Sequence, residues 1–402
     1  MFEIEGTYET AKCYATNIED TAIEQIRAMC DMPFTKDANV AIMPDAHAGV
    51  GCTIGTTMKV KDAAVPNIVG VDIGCGMYTV ELGKGNISLP DFDDACHAVP
   101  SGKQVWEGRR EHFDLEQLRC YRNLHQTKRI LRSIGTLGGG NHFIEIDVAD
   151  DGTQYLVIHS GSRNLGKQVA EYYQALAVDL HSGKEEFFVE RDKLIASYKA
   201  AGRRNEIHEA LQKLRAKFNK QEPDVPADLC WLYGSYLDDY LHDVAICQQF
   251  ARENRESMAR EILGRMKLAG RDAFHTIHNY IDTSEMILRK GAIAAHDGEL
   301  VLIPLNMRDG SVLARGKGNA EWNMSAPHGA GRLMSRRTAK ETLSMEDYRT
   351  QMEGVYSTSV TESTLDEAPD AYKAADDIMG PIAEAVDVVD MMRPIYNFKA
   401  HE

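Results

Sequence analysis

The chain has no run approaching the roughly 18 to 20 uninterrupted apolar residues that a bilayer-spanning helix needs, and its opening MFEIEGTYETAK has neither a basic start nor an apolar signal core. A cytoplasmic protein without membrane contact is the expectation. Positive charge is also scarce: 45 Lys and Arg stand against 61 Asp and Glu, a net charge of −16. That balance excludes a protein that coats long nucleic acid by bulk electrostatics, but not nucleic acid held at a focused site. One local excess stands out between residues 193 and 220, where Lys193, Lys199, Arg203, Arg204, Lys213, Arg215, Lys217 and Lys220 face only Glu206 and Glu209. It reads equally well as a solvated helical face or as phosphate contacts. Several familiar signatures are missing: no GxxxxGK[ST] loop, no GxGxxG after a strand, no HExxH and no CxxC. An ordinary P-loop, zinc protease or zinc ribbon therefore has little support. The eight cysteines (13, 30, 52, 75, 96, 120, 230, 247) have no framework spacing and read as reduced thiols, mostly small buried hydrophobes. With 12 prolines in 402 residues, 43% hydrophobic and 26% charged, the composition is that of an ordinary folded protein.

What is present is uneven. Residues 38 to 82 are rich in glycine and β-branched residues and read as short strands separated by glycine turns. Residues 89 to 133 read as more helical. Residues 135 to 173 place two apolar strands beside glycine-rich segments, ahead of a helix. From Gly166 to about Tyr280 the pattern is mainly helical; 286 to 316 returns to strands; a helix opens at the glycines of SAPHGAGRLMSRRTAKE; and the tail from Ala368 to Met392 reads as helical. No repeat or linker marks a boundary. Strand-rich blocks on both sides of the helical stretch predict one interleaved α+β domain over 1–402, with about 166–280 as a helical layer or insertion and glycine-rich loops at the strand ends.

Five of the fourteen histidines have telling neighbours: His47 in MPDAHAG, His142 in GGGNHF, His159 in VIHSGSR, His278 in HTIHNY and His328 in APHGAGR. A histidine beside glycines at a strand end has a backbone free to bend and a ring open to a cleft, as a ligand or nucleophile requires. Singly, each reads more readily as a structural histidine; the set is harder to dismiss. Asp72 and Cys75 form a D-x-x-C unit in VGVDIGCGM, and Cys75 has glycine on each side. Thiolate, carboxylate and imidazole together suit a borderline divalent transition ion. Glycines at 138 to 140, 329 and 331 could bring backbone N–H groups to phosphate oxygens, and Arg163, Lys290 and Arg332 each adjoin a motif histidine or glycine turn.

Taken in order, MPDAHAGVGCTIG, VGVDIGCGM, GTLGGGNHFIE, VIHSGSRNLG, HNY followed by RKGA, and SAPHGAGRLMSR closely resemble the RtcB family of GTP-dependent RNA ligases, from about residue 40 to Lys399. The resemblance implies an enzyme that joins an RNA 2′,3′-cyclic phosphate or 3′-phosphate end to a 5′-hydroxyl end, in tRNA splicing or RNA repair, using GTP and two manganese ions. The implied nucleophile is His328, which would carry GMP. Asp72 and His142 would hold one ion, His159 and His278 the other, with Cys75 bridging both. Asn141 would contact the GMP phosphate, with Glu145, Ser311, Tyr372 and Lys399 around the guanine and ribose and Asn306 also toward the nucleotide. Glu145 can accept from both guanine N1–H and the exocyclic amine, a pair that adenine lacks. Arg163, Lys290 and Arg332 would hold RNA phosphates or the triphosphate, with Asp45 grouped beside them as an acidic residue near the active site. The implied partners are RNA with these ends and GTP, with an activator protein left open.

The chain departs from the family's pattern at Val50, where a lysine is usual, at Leu305, Asn306, Met307 and Arg308, where a G-S-M-G turn is usual, and at Ala400, His401 and Glu402, which follow the last lysine. These departures keep a rival in view: a metal-dependent RNA cyclic phosphodiesterase or phosphatase that no longer ligates.

Overall fold

The computed structural model describes residues 1–217 and 222–400; Lys220, His401 and Glu402 lie outside them. Seven antiparallel strands form the larger sheet, in the order Ala273–Ile277, Gly76–Gly83, Gln154–Ser160, Phe143–Val148, Val386–Lys399, Gly310–Gly316, Leu300–Asn306. A six-stranded sheet runs Phe2–Glu5, Thr10–Cys13, Ala41–His47, Ile54–Lys59, Ile287–Lys290, Asn279–Asp282, and only its Thr10–Cys13 and Ala41–His47 pair is parallel. Both sheets draw strands from before and after the central helices, giving an α+β fold with interleaved strands.

The helical layer is shorter than its sequence pattern suggests. Helices Arg163–Asp179, Glu185–Ala200, Ile207–Lys217 and Gly234–Met266 make it up, and strands Ala273–Ile277 and Asn279–Asp282 occupy the stretch to Asp282. Residues 89 to 133 hold only two α-helices, Leu89–His97 and Thr127–Leu131. The tail differs most: helix covers Ala375–Ile382 alone, and Val386–Lys399 is a 14-residue strand. That strand spends its first half paired with Gly310–Gly316 and its second half paired with Phe143–Val148, bridging two parts of the sheet. Partners so distant in sequence leave no local signature, and tertiary pairing overrides a helical reading there. The helix expected at Gly329 and Gly331 starts later, at Arg336, where the Ser335 hydroxyl accepts from the Thr338 N–H at 3.1 Å.

Among the described residues no helix is long and apolar enough to cross a membrane. In the basic stretch, Lys193 pairs with Glu190 at 3.1 Å and Lys213 with Glu209 at 2.7 Å, each on its own helix. These are the ion pairs of a solvated helical face.

Candidate active site

The antiparallel register collects the motif residues at one end of the larger sheet. Gly76 opens its strand opposite Ser160, and His159 stands opposite both Met77 and Phe143, so the turn carrying Asp72 and Cys75, the end of Gln154–Ser160 and the start of Phe143–Val148 meet. His278 sits at the joint where the chain leaves the larger sheet at Ile277 and enters the smaller one at Asn279, and its N–H donates to the Cys75 carbonyl at 2.9 Å. Helix Gly234–Met266, about 50 Å long at 1.5 Å per residue, clamps the loops from behind. Arg255 Nη1 donates to the carbonyls of Gly74 and Ser160, each at 2.7 Å, and the Asn254 amide donates to the Ser160 hydroxyl and the Gly161 carbonyl. Gly161 is needed for closeness: a Cβ there would lie 2.2 Å from Asp72 Oδ1.

The five metal-ligand candidates come together. Cys75 Sγ is 3.4 Å from His142 Nε2 and 3.3 Å from His159 Nε2; Asp72 Oδ2 is 3.0 Å from His142 Nε2; His159 Nε2 is 3.4 Å from His278 Nε2. Cys75, His142 and His159 form a buried metal-binding group. Nδ1 of His142 faces the Leu137 carbonyl at 2.9 Å and Nδ1 of His159 the Asn141 carbonyl at 3.2 Å. Both Nδ1 atoms therefore act as donors, leaving Nε2 lone pairs aimed at the cluster, the second-layer arrangement that orients metal-binding imidazoles. Burial, reinforced by the neighbouring imidazoles, pushes His159 and His278 well below the ordinary histidine range and keeps them neutral. Burial and the Asp72 carboxylate push the Cys75 thiol well above its usual value, so its thiolate needs a strong positive charge beside it. Burial opposes ionisation of Asp72 too, but its surroundings of His142, Cys75 and Arg163 outweigh it and bring Asp72 down to about 2. Converging lone pairs, a thiol and an ionised carboxylate fit a divalent transition ion.

His328 lies against this cluster, its ring centroid 4.8 Å from that of His278 in a T-shaped contact. Its Nδ1 is 2.6 Å from Asp45 Oδ2, which also accepts the His328 N–H at 3.2 Å. Asp45 is completely buried in strand Ala41–His47. This corrects the grouping of Asp45 with phosphate contacts: a buried carboxylate repels phosphate, and this one is occupied in orienting His328.

A cavity of about 270 Å³ opens in front of His159, His278 and His328, with Asn141, Glu145, Asn306, Arg332, Tyr372 and Lys399 also on its walls. Ser311 is not among them; it is fully buried on strand Gly310–Gly316, between Pro304 and Met392 of the adjoining strands. Lys290 is also absent, because its ammonium donates to the carbonyls of Val50 at 3.1 Å and Asn67 at 2.9 Å and so ties down a loop. Arg163 lines a different cavity. Arg332 reaches the wall with its guanidinium engaged by the Asp366 carbonyl at 2.7 Å and Glu367 at 3.3 Å.

Glu367 is the residue that the sequence did not reveal. It is 2% exposed and sits behind the cavity wall, where it pairs with Lys399, Arg336 (2.8 Å) and Arg332 and accepts from the Tyr372 hydroxyl at 2.6 Å. In STLDEAPD no glycine or histidine flags it. Burial disfavours its charge, but Lys399, Arg336 and Arg332 overcome that and bring it down to about 2. Its folded value is depressed, so its stabilisation is present above roughly pH 4.5 and is lost as the pH falls toward 2. Glu367→Gln should destabilise the fold by about 3 kcal/mol near neutral pH, because buried cations lose their counter-charge. Thermal denaturation of both proteins should show the gap closing as the pH is lowered from 6 to 3; a gap independent of pH would contradict the ion-pair origin.

A buried cluster of metal-ligating side chains, beside an imidazole held by a carboxylate at the mouth of a cavity, is the layout of a metal-dependent active site. The family model for the tRNA-splicing ligase RtcB matches residues 25–118 and 107–400. RNA-splicing ligase RtcB of Escherichia coli K12 is 30% identical over 420 residues, covering 94% of each chain. RNA-splicing ligase RtcB2 of Escherichia coli strain ATCC 25922 is 26% identical over 420 residues, covering 95% of this chain and 93% of that one. The tRNA-splicing ligase RtcB of Aeropyrum pernix is 26% identical over 470 residues, covering 94% and 93%. The chain belongs to the RtcB family.

Proposed function

We propose that this protein is a GTP-dependent RNA ligase that joins a 2′,3′-cyclic phosphate or 3′-phosphate end to a 5′-hydroxyl end through a GMP-histidine. The observation that carries the reading is the placement of His328. Its Nδ1 is held by Asp45, so with that carboxylate ionised Nδ1 carries the ring proton and Nε2 keeps a lone pair for attack. His328 Nε2 attacks the α-phosphorus of GTP; the N–P bond forms as the bond to pyrophosphate breaks. Asp45 stabilises the positive charge that develops on the ring. An oxygen of the RNA 3′-phosphate then displaces His328 from that phosphorus, giving a 3′-guanylylated end, and the 5′-hydroxyl displaces GMP to form the new phosphodiester. A cyclic phosphate end is hydrolysed to the 3′-phosphate beforehand. Asp72, Cys75, His142, His159 and His278 would hold two manganese ions. Such ions supply Lewis-acid neutralisation of phosphate charge and activation of entering oxygens.

The guanine side of the reading rests on Glu145, at 2% exposure beside Asn397 and Asp147. Burial and the neighbouring Asp147 push the Glu145 carboxyl well up, and Asp147 rises to about 6, so the two carboxyls tend to keep a proton between them. A base donating two N–H groups to Glu145 would favour its ionised form. Lys399 and Tyr372 flank this end of the cavity. RNA is the substrate named for the relatives, and those names are ligases rather than phosphodiesterases.

Incubation of the protein with manganese and α-labelled GTP, in parallel with ATP, should leave covalent label from GTP alone, and RNA carrying both a 3′-phosphate and a 5′-hydroxyl end should discharge that label as free GMP while ligated RNA forms. RNA hydrolysed at its cyclic end, with no protein label and no joining, would replace this reading with the phosphodiesterase.

A further inference from the structure

A second cavity, of about 290 Å³, opens beside the metal cluster, with Lys103, Gln104, Arg129, Ser133, Arg163 and Asn164 among its lining residues and no Asp or Glu. Three cations on one wall are unusual in a chain of net charge −16, where most such groups would find a carboxylate. Here the contacts are with neutral acceptors. Arg129 donates to the Lys103 carbonyl, Arg163 Nη2 to the Gly102 carbonyl at 3.0 Å, and Arg163 Nε to the Thr136 hydroxyl at 3.3 Å. Among the described residues none of the three forms an ion pair with a carboxylate, although the charge of Asp72 is felt at Arg163. The Arg163 guanidinium is seated against Gly138, where a Cβ would lie 1.7 Å from Nη1. The surrounding segment, residues 101 to 133, carries eight Lys and Arg against four Asp and Glu.

Continuity with the reaction site comes from helix Arg163–Asp179. At its start the Ser162 N–H donates to Asp72 Oδ1 at 3.1 Å on the metal side, while Arg163 and Asn164, the first two helical residues, line the cavity on the other. No side chain caps this 17-residue helix, so its N-terminal N–H groups add to the positive potential. The neighbouring site is thus built for an anion, close enough to the metal cluster to share one helix end with it.

We infer that Lys103 and Arg129, beside the Arg163 that the family resemblance already places among the phosphate contacts, form a subsite for a phosphodiester of the RNA strand that leads away from the reacting end. The inference rests on the RNA ligase reading above. It adds a second point of attachment that fixes the strand's direction, since the end group is held at the metal cluster and a following phosphate is held here. Phosphate contacts of this kind position a strand without reading its sequence.

The test is the Lys103→Ala/Arg129→Ala double variant, assayed in two arms. In the RNA arm, a ten-nucleotide RNA with a 3′-phosphate is titrated by fluorescence anisotropy at several salt concentrations. Affinity should fall about tenfold near 0.15 M salt, and the slope of log affinity against log salt should shrink by about 1.4, the value for two lost single-strand contacts. Lys103→Glu/Arg129→Glu should weaken binding further, whereas Lys193→Ala/Lys213→Ala, with the same charge removed from the solvated helices, should change it less than twofold. In the nucleotide arm, guanylylation rate and KM for GTP should stay at wild-type values, which also verifies folding. Unchanged RNA affinity and salt slope would overturn the inference. So would a raised KM for GTP with normal RNA binding, which would make the cavity a triphosphate site. A wild-type protein that takes no label from GTP would defeat the ligase reading by itself, independently of the RNA arm.

Discussion

His328→Ala is expected to abolish covalent GMP attachment and RNA joining together, by on the order of 10⁴-fold or more, since the variant lacks the ring nitrogen that would carry the nucleotidyl intermediate. Metal content should stay near wild type, because His328 stands against His278 without completing the Cys75, His142 and His159 group. Asp45→Asn provides the graded control. The amide removes the charge that accompanies the Nδ1 proton and can leave the ring in the wrong tautomer, so label should form roughly 10²-fold more slowly or worse while RNA affinity is unchanged. Acid-labile label on the purified proteins, read against bound metal, measures both. An alanine variant labelled as well as wild type would move the nucleophile elsewhere, and His47, also on the cavity wall, would be the next histidine to test.

The second large effect falls on Cys75. Its sulfur lies within 3.4 Å of both His142 Nε2 and His159 Nε2, whereas Asp72 contacts only the first ring and His278 only the second. Cys75→Ala should therefore weaken metal retention at both positions at once, by more than about 100-fold, beyond the loss usual for an outer-layer partner. Asp72→Ala and His278→Ala should each act mainly on one position. Metal analysis after dialysis at fixed free manganese separates these outcomes, and a Cys75 variant that keeps one ion at full affinity would rule out the bridge. Zinc must be excluded, because a thiolate and imidazole site binds it more tightly than manganese.

The parts of the site legible in the sequence share one property: each is a chemically distinctive side chain within two residues of a glycine or at a strand end. Asp72, Cys75, His142, His159, His278 and His328 are all of this kind, and the antiparallel register draws them to one place. Residues whose importance lies in a partner rather than in a neighbour were not legible. Glu367 matters because Lys399, Arg336 and Arg332 converge on it from elsewhere in the chain. Lys290 and Arg332 look like free phosphate-binding cations in sequence, yet one ties down the loop at Val50 and the other is held by Glu367 and the Asp366 carbonyl. In the basic run at 193 to 213, Lys193, Arg203 and Lys213 pair with nearby glutamates, while the cations at 103 and 129 acquire their meaning only when two loops and the helix start at Arg163 enclose a cavity without acids.

The sequence by itself determined the donor chemistry: a soft thiol, hard carboxylates and neutral imidazoles on glycine-flanked turns, in an order that resembles one family along nearly the whole chain. Tertiary structure alone decided which carboxylate holds His328, which cations remain unpaired, and that the tail from Val386 to Lys399 is a strand carrying Lys399 to the cavity wall. The division has a physical cause. Ligand type is a property of one side chain, whereas charge compensation and strand pairing are properties of groups hundreds of residues apart, whose meeting depends on the whole core being packed.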